Sequence, residues 1–98
     1  MPTYKTAQLN VKAESIEKCT QVLQEYMAYL KQNEPGTQAY LCLQDEKDPT
    51  SFLILGIYTD ATLHGSSQDA KTYVDKLLLE AVGSVTYTDY VLAASMER

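Results

Sequence analysis

A chain of 98 residues reads as one domain, residues 1–98, that buries about two-thirds of its unfolded surface. A composition 45% hydrophobic and 21% charged is that of a soluble globular protein, and a net charge of −5 makes nucleic acid and anionic membranes poor partners. No apolar run approaches the ~20 residues of a membrane span, and Met1 to Val11 lacks the apolar core of a secretory signal, so the expected compartment is cytoplasmic.

Tyr4 to Ala13 alternates: Ala7, Leu9, Val11 and Ala13 fall on one face, and Thr6, Gln8, Asn10 and Lys12 on the other. A period of two predicts a strand with one apolar face. From Glu14 to Asn33 the period changes, and Ile16, Cys19, Val22, Leu23, Tyr26, Met27 and Leu30 mark an amphipathic helix with Ser15 as its expected N-cap. Pro35 disfavours helical geometry at Glu34 and stops the helix, while Gly36 permits a turn. The spacing of Cys19 and Cys42 suits neither a metal nor a redox pair, and two buried thiols are expected.

Thr37 to Gln44 reads as a second strand, with Ala39, Leu41 and Leu43 on one face and Gln38, Tyr40, Cys42 and Gln44 on the other. The polar loop from Asp45 to Pro49 suits a hairpin. It lacks the ligand spacing of a calcium loop, so it reads as a solvated tip and no metal site is expected. Phe52 to Tyr58 is almost continuously apolar, as in a central strand, and Gly56 within it suggests a bulge or a close approach. After a connection from Thr59 to Ser67, Ala70, Tyr73, Val74, Leu77 and Leu78 predict a second amphipathic helix ending near Gly83. Val85 to Ala94 returns to strand-like composition, and Ser95 to Arg98 should fray.

The order β-α-β-β-α-β predicts an α+β, ferredoxin-like fold: an antiparallel sheet with two helices on one face and its first and third strands central. The uncovered face would then leave Phe52, Ile54 and Tyr58 exposed together, and a second copy packed face to face would cover them.

Several residues in order resemble the antibiotic biosynthesis monooxygenase family of dimeric α+β barrels. They are Glu34-Pro35-Gly36 with Tyr40 four residues on, Asp48-Pro49 in the hairpin, Phe52 opening the third strand, Tyr58-Thr59-Asp60 closing it, and Leu63-His64 before the second helix. The resemblance implies a homodimer with a small cavity between sheet and helices in each subunit. It also implies oxidation of a small phenolic or quinol-like molecule by O2 without metal or flavin. Many members carry a glutamate and, two residues later, an aromatic at the end of the third strand. Here those positions are Gly56 and Tyr58. The chain has no tryptophan and no histidine on its second helix, which disfavours the haem-degrading branch.

His64 leads the candidate site, because an imidazole with an ordinary pKa near ~6.5 can take a proton from a phenol. The resulting phenolate or carbanion can pass an electron to O2. Tyr58, Tyr26 and Tyr73 are candidates to line the cavity and bind substrate, and Asn10 to polarise a carbonyl. Each also has a plain structural reading: a residue that orders the start of the helix for His64, core packing for the tyrosines, an exposed or interface amide for Asn10. Two further functions remain open on the same scaffold: a non-catalytic small-molecule-binding module, and an isomerase, cyclase or decarboxylase that uses His64 without O2.

Overall fold

A computed structural model describes residues 2–59 and 68–98. Its elements are β1 (Thr3–Val11), a short 3-10 turn (Ala13–Ser15), α1 (Ile16–Asn33), β2 (Thr37–Gln44), β3 (Ser51–Tyr58), α2 (Gln68–Leu78) and β4 (Ala81–Tyr90). The strands form one sheet in the order β2-β3-β1-β4, and every neighbouring pair is antiparallel. Both helices lie on one face, giving the ferredoxin-like α+β fold that the element order predicts. The apolar third strand and the alternating first strand are central, as expected.

The main core forms where Cys19 and Leu23 of α1 and Leu77 of α2 meet Leu9, Val11, Phe52 and Ile54 of the sheet. This corrects the expected orientation of β3. Phe52, Ile54 and Tyr58 are buried beneath the helices, and the open face instead carries Leu41, Leu43 and Leu53, which are 45%, 54% and 39% exposed. The physical reason is that β2 and β3 are apolar on both faces. Alternation alone then leaves undecided which set faces the helices.

Three local expectations also change. Ser15 does not cap α1 through its side chain. Its hydroxyl donates instead to Glu80 Oε1 at 2.6 Å, Lys18 Nζ donates to Glu80 Oε2 at 3.2 Å, and the Lys12 amide donates to the Glu80 carbonyl at 3.0 Å. This network fastens the start of α1 to the turn that precedes β4, and it holds the Glu80 carboxyl below its ordinary pKa, chiefly through the Ser15 hydrogen bond. The second helix ends at Leu78 rather than near Gly83. Gly83 lies within β4 at φ 75°, where the β1–β4 register shifts between Gln8 and Asn10, and such a bulge needs a residue tolerant of positive φ.

The hairpin tip between β2 and β3 is held by its own carboxylates. Asp45 Oδ1 accepts from the Lys47 and Asp48 amides at 2.8 and 3.3 Å, and Asp48 Oδ1 accepts from the Thr50 amide and hydroxyl at 3.2 and 2.6 Å. At the opposite end of the sheet, the Glu34 amide donates to the Leu30 carbonyl at 2.9 Å and closes α1, while the Thr59 amide donates to the Gly36 carbonyl at 2.8 Å. That last bond ties the Glu34-Pro35-Gly36 turn to the end of β3. It thereby sets the end of α1 beside Tyr58.

Candidate functional site

A cavity of about 200 Å³ lies between the sheet and the helices. Its walls come from every main element. Ala7 and Leu9 of β1, Ile54, Gly56 and Tyr58 of β3, and Tyr40 of β2 face it from the sheet, with Val85 and Tyr87 of β4. Tyr26 of α1 and Val74, Leu77 and Leu78 of α2 face it from the helices. The lining is apolar and aromatic except at Thr6 and at Lys5, whose side chain remains 37% exposed and pairs with Asp89 Oδ1 at 3.2 Å.

One wall of the cavity belongs to a tyrosine cluster. The Tyr26 ring packs edge-on against Tyr40, with centroids 5.4 Å apart, and stacks on Tyr73 at 5.5 Å. Tyr29 lies 6.4 Å from Tyr26 and 5.5 Å from Tyr73. Aromatic packing of this kind stabilises by about 0.5–1.5 kcal/mol per pair beyond burial. Burial, with the Glu34 carboxylate nearby, pushes the Tyr26 hydroxyl up to about 12. Burial likewise pushes Tyr40 and Tyr58 well above their ordinary values. All three therefore stay protonated at neutral pH and can act as hydrogen-bond donors. Tyr26 is 3% exposed, and its hydroxyl has no hydrogen-bond partner among the described residues.

Gly56 has its reason here. A β-carbon at this position would run into the hydroxyl and Cζ of Tyr58, and would come within 2.8 Å of the ring's Cε2. The Tyr58 ring thus folds back over Gly56 on the helix-facing side of β3. The sequence suggested a bulge or a close approach by a backbone or ligand, and the structure has instead the approach of a side chain two residues away. It fills the space that a side chain at position 56 would occupy.

Tyr58 and Tyr26 both line the cavity, and Tyr73 packs behind Tyr26 without being part of the lining. Asn10 is exposed on the opposite face of the sheet, opposite Ser51 of β3. His64, Asp60 and Leu63 lie outside the described residues. Lys5 and Tyr87 were not singled out from the sequence, and Tyr40 was named only in the family motif and not as a site residue. Lys5 did carry a signal: it shares the parity of Ala7, Leu9 and Val11 and so falls on the core-facing side of β1. For Tyr40 the pattern of β2 did not decide which face meets the helices, since Leu41 and Leu43 on one face compete with Tyr40 and Cys42 on the other.

Cys19 and Cys42 are free, one buried and the other half-buried. Burial raises both thiols, Cys42 to about 11, which leaves them protonated and poorly nucleophilic at neutral pH. Among the described residues no cluster of His, Cys, Asp and Glu is arranged to hold a metal ion.

An open-faced ferredoxin-like sheet with an apolar, tyrosine-walled cavity under its helices defines a small-ligand α+β scaffold. Residues 2–76 match the family described as antibiotic biosynthesis monooxygenase, and the chain belongs to that family. Solved structures agree on the fold. An antibiotic biosynthesis monooxygenase superposes with a TM-score of 0.82 at 20% identity, over 94% of this chain and 99% of its own. A mutant of SnoaB, a cofactor-independent oxygenase from Streptomyces nogalater, gives 0.84 at 10% identity over 99% and 98%. A conserved protein from Methanosarcina mazei Go1 gives 0.82 at 17% over 92% and 91%. No curated protein matches the chain. No helix among the described residues is long and apolar enough to cross a membrane.

Proposed function

We propose that this protein is a cytoplasmic, cofactor-independent monooxygenase that oxidises a small hydroxylated aromatic, polyketide or quinol with O2. The observation that carries this reading is the apolar cavity walled by Tyr26, Tyr40 and Tyr58 in a chain of this family. The description of SnoaB as a cofactor-independent oxygenase on the same fold supports chemistry driven by the substrate's own electrons. In this mechanism His64 removes a proton from an activated CH or phenolic OH. The electron-rich anion reduces O2 by one electron, and the two radicals combine to a hydroperoxide. Loss of water then leaves a new carbonyl. The peroxide anion takes back the proton held by His64, and one oxygen atom stays in the product while the other departs as water carrying that proton and the hydrogen left on the oxidised carbon. Tyr58 and Tyr26 orient the substrate, and the cavity walls exclude bulk water during the step.

The working unit in this proposal is a homodimer. Leu41, Leu43 and Leu53 on the open sheet face form an apolar surface of the kind that a second copy covers. Asn10 lies on that face, where an interface amide is its natural role.

Oxygen uptake across a panel of hydroquinones and anthrones tests the function. Wild-type protein should consume O2 above autoxidation, and His64→Ala should remain folded and dimeric while losing turnover. No uptake with any member of the panel would count decisively against a monooxygenase. One observation favours a second reading, a non-catalytic binding module: the Tyr58 ring occupies the space of a side chain at position 56, where the family resemblance implies a glutamate. Tight aromatic binding by calorimetry without O2 consumption or product would identify that module. Turnover unchanged under anaerobic conditions would instead point to isomerase, cyclase or decarboxylase chemistry.

A further inference from the structure

The geometry points to a flat aromatic acid as the ligand of this cavity, with its anionic group at Lys5 and a carbonyl or hydroxyl oxygen on the Tyr26 hydroxyl. The inference rests on the proposed function only in taking this cavity as the site. Three features of the cavity carry it.

The first is Lys5. It stands on the core-facing side of β1, opposite Gly56 in the register with β3 and opposite Asp89 in the register with β4. Among the described residues it is the one charged side chain lining a cavity otherwise built from apolar groups, a threonine and tyrosines. A lysine at a core-facing strand position is costly unless its ammonium reaches a partner or water. Its partner, Asp89, is 74% exposed, so the pair at 3.2 Å is a solvated one that holds the ammonium weakly. An anion arriving from the cavity side meets a cation with three donors whose existing partner is solvated and exchangeable. The chain's net charge of −5 opposes anions overall, so the preference for an acid has to come from Lys5 itself.

The second is the Tyr26 hydroxyl, which is buried without a partner among the described residues and lines the same cavity. A buried hydroxyl left unsatisfied is unfavourable, and a ligand oxygen that accepts its proton removes that penalty. The third is size. At about 200 Å³ the cavity falls below the ~300–1,000 Å³ typical of drug-sized ligands, which suits one or two rings.

Calorimetry with 6-hydroxy-2-naphthoate and 2-naphthol, which share the ring and hydroxyl and differ in the carboxylate, tests the assignment. Wild-type protein should bind the naphthoate about tenfold more tightly, as expected for a charge-assisted contact. Lys5→Met keeps the apolar stem and should bring the naphthoate down to the level of 2-naphthol. Asp89→Asn frees the ammonium and should strengthen naphthoate binding alone. Tyr26→Phe should weaken both ligands by about three- to tenfold, the range of one hydrogen bond. Circular dichroism checks that each variant is folded. Equal affinity for the two ligands, a preference that survives Lys5→Met, or no binding of either overturns the inference. Because binding is read without turnover, the two proposals fail separately. Oxidation of a neutral quinol with no anion preference sinks only the aromatic acid, and a clear preference with no O2 consumption sinks only the oxygenase.

Discussion

Replacing Gly56 by alanine adds one methyl group to a strand position and tests how closely the Tyr58 ring is packed. The new carbon would conflict with the hydroxyl, Cζ and Cε2 of a ring that is 2% exposed, so the ring must leave its place between β3 and the helices. Overpacking of this kind costs about 1–3 kcal/mol. Gly56 is not among the positive-φ glycines, so alanine suits the backbone, and the reduced freedom of the unfolded chain offsets about 0.4–1 kcal/mol. The midpoints of the two ranges leave a net loss of about 1.3 kcal/mol. At roughly 4–8 °C per kcal/mol for a domain of this size, Tm falls by about 5–10 °C. The control is Tyr58→Leu, which lacks all three conflicting atoms and retains an apolar body. In that background Gly56→Ala should be neutral or stabilising by up to about 1 kcal/mol. Urea unfolding followed by circular dichroism gives the four stabilities of the cycle. An equal penalty for Gly56→Ala in both backgrounds, or no penalty in the wild type, refutes the reasoning.

Tyr26→Phe removes a buried hydroxyl that lacks a partner, so the apo protein should gain about 1 kcal/mol in a urea melt even as ligand affinity falls; a loss of stability would mean that the hydroxyl is satisfied. The alkaline limb of the stability curve follows from the same tyrosines. Their folded values lie above the unfolded value near ~10, so the folded state binds more protons above that pH, and stability present below pH ~10 declines as pH rises. For Tyr26 the decline runs to about pH 12. Tyrosinate absorbance should therefore rise in two stages, the second coincident with unfolding by circular dichroism, and a single unresolved rise at the ordinary pKa would contradict the burial. On the open face, Leu53→Glu places a charge on a 39% exposed position without touching the core. It should leave the fold intact and convert the proposed dimer to a monomer by light scattering, and an unchanged oligomeric state would remove that face from the proposed interface.

The topology was legible because the period changes cleanly: alternation through Leu9 and Val11, helical spacing through Cys19 to Leu30, a stop at Pro35. The orientation of β2 and β3 was not, because Leu41 and Leu43 compete with Tyr40 and Cys42, and Leu53 with Phe52 and Ile54. Hydrophobicity cannot rank two apolar faces, and the choice follows from which side the helices occupy. Gly83 has the composition of a helix terminus, but tertiary register uses it for a bulge in β4. Half of the cavity could be read from Tyr26 and Tyr58. The alternation of β1 also placed Lys5 on the core-facing side, whereas the Tyr58 ring over Gly56 depends on side-chain placement that local pattern does not encode.

The most direct test of the central claim is turnover of an anthrone or quinol under isotopically labelled O2, with the product analysed by mass spectrometry. The monooxygenase account predicts one labelled oxygen atom per product molecule, the other in water, and no product when O2 is withheld. Product that forms without label, or equally fast in the absence of O2, would contradict it.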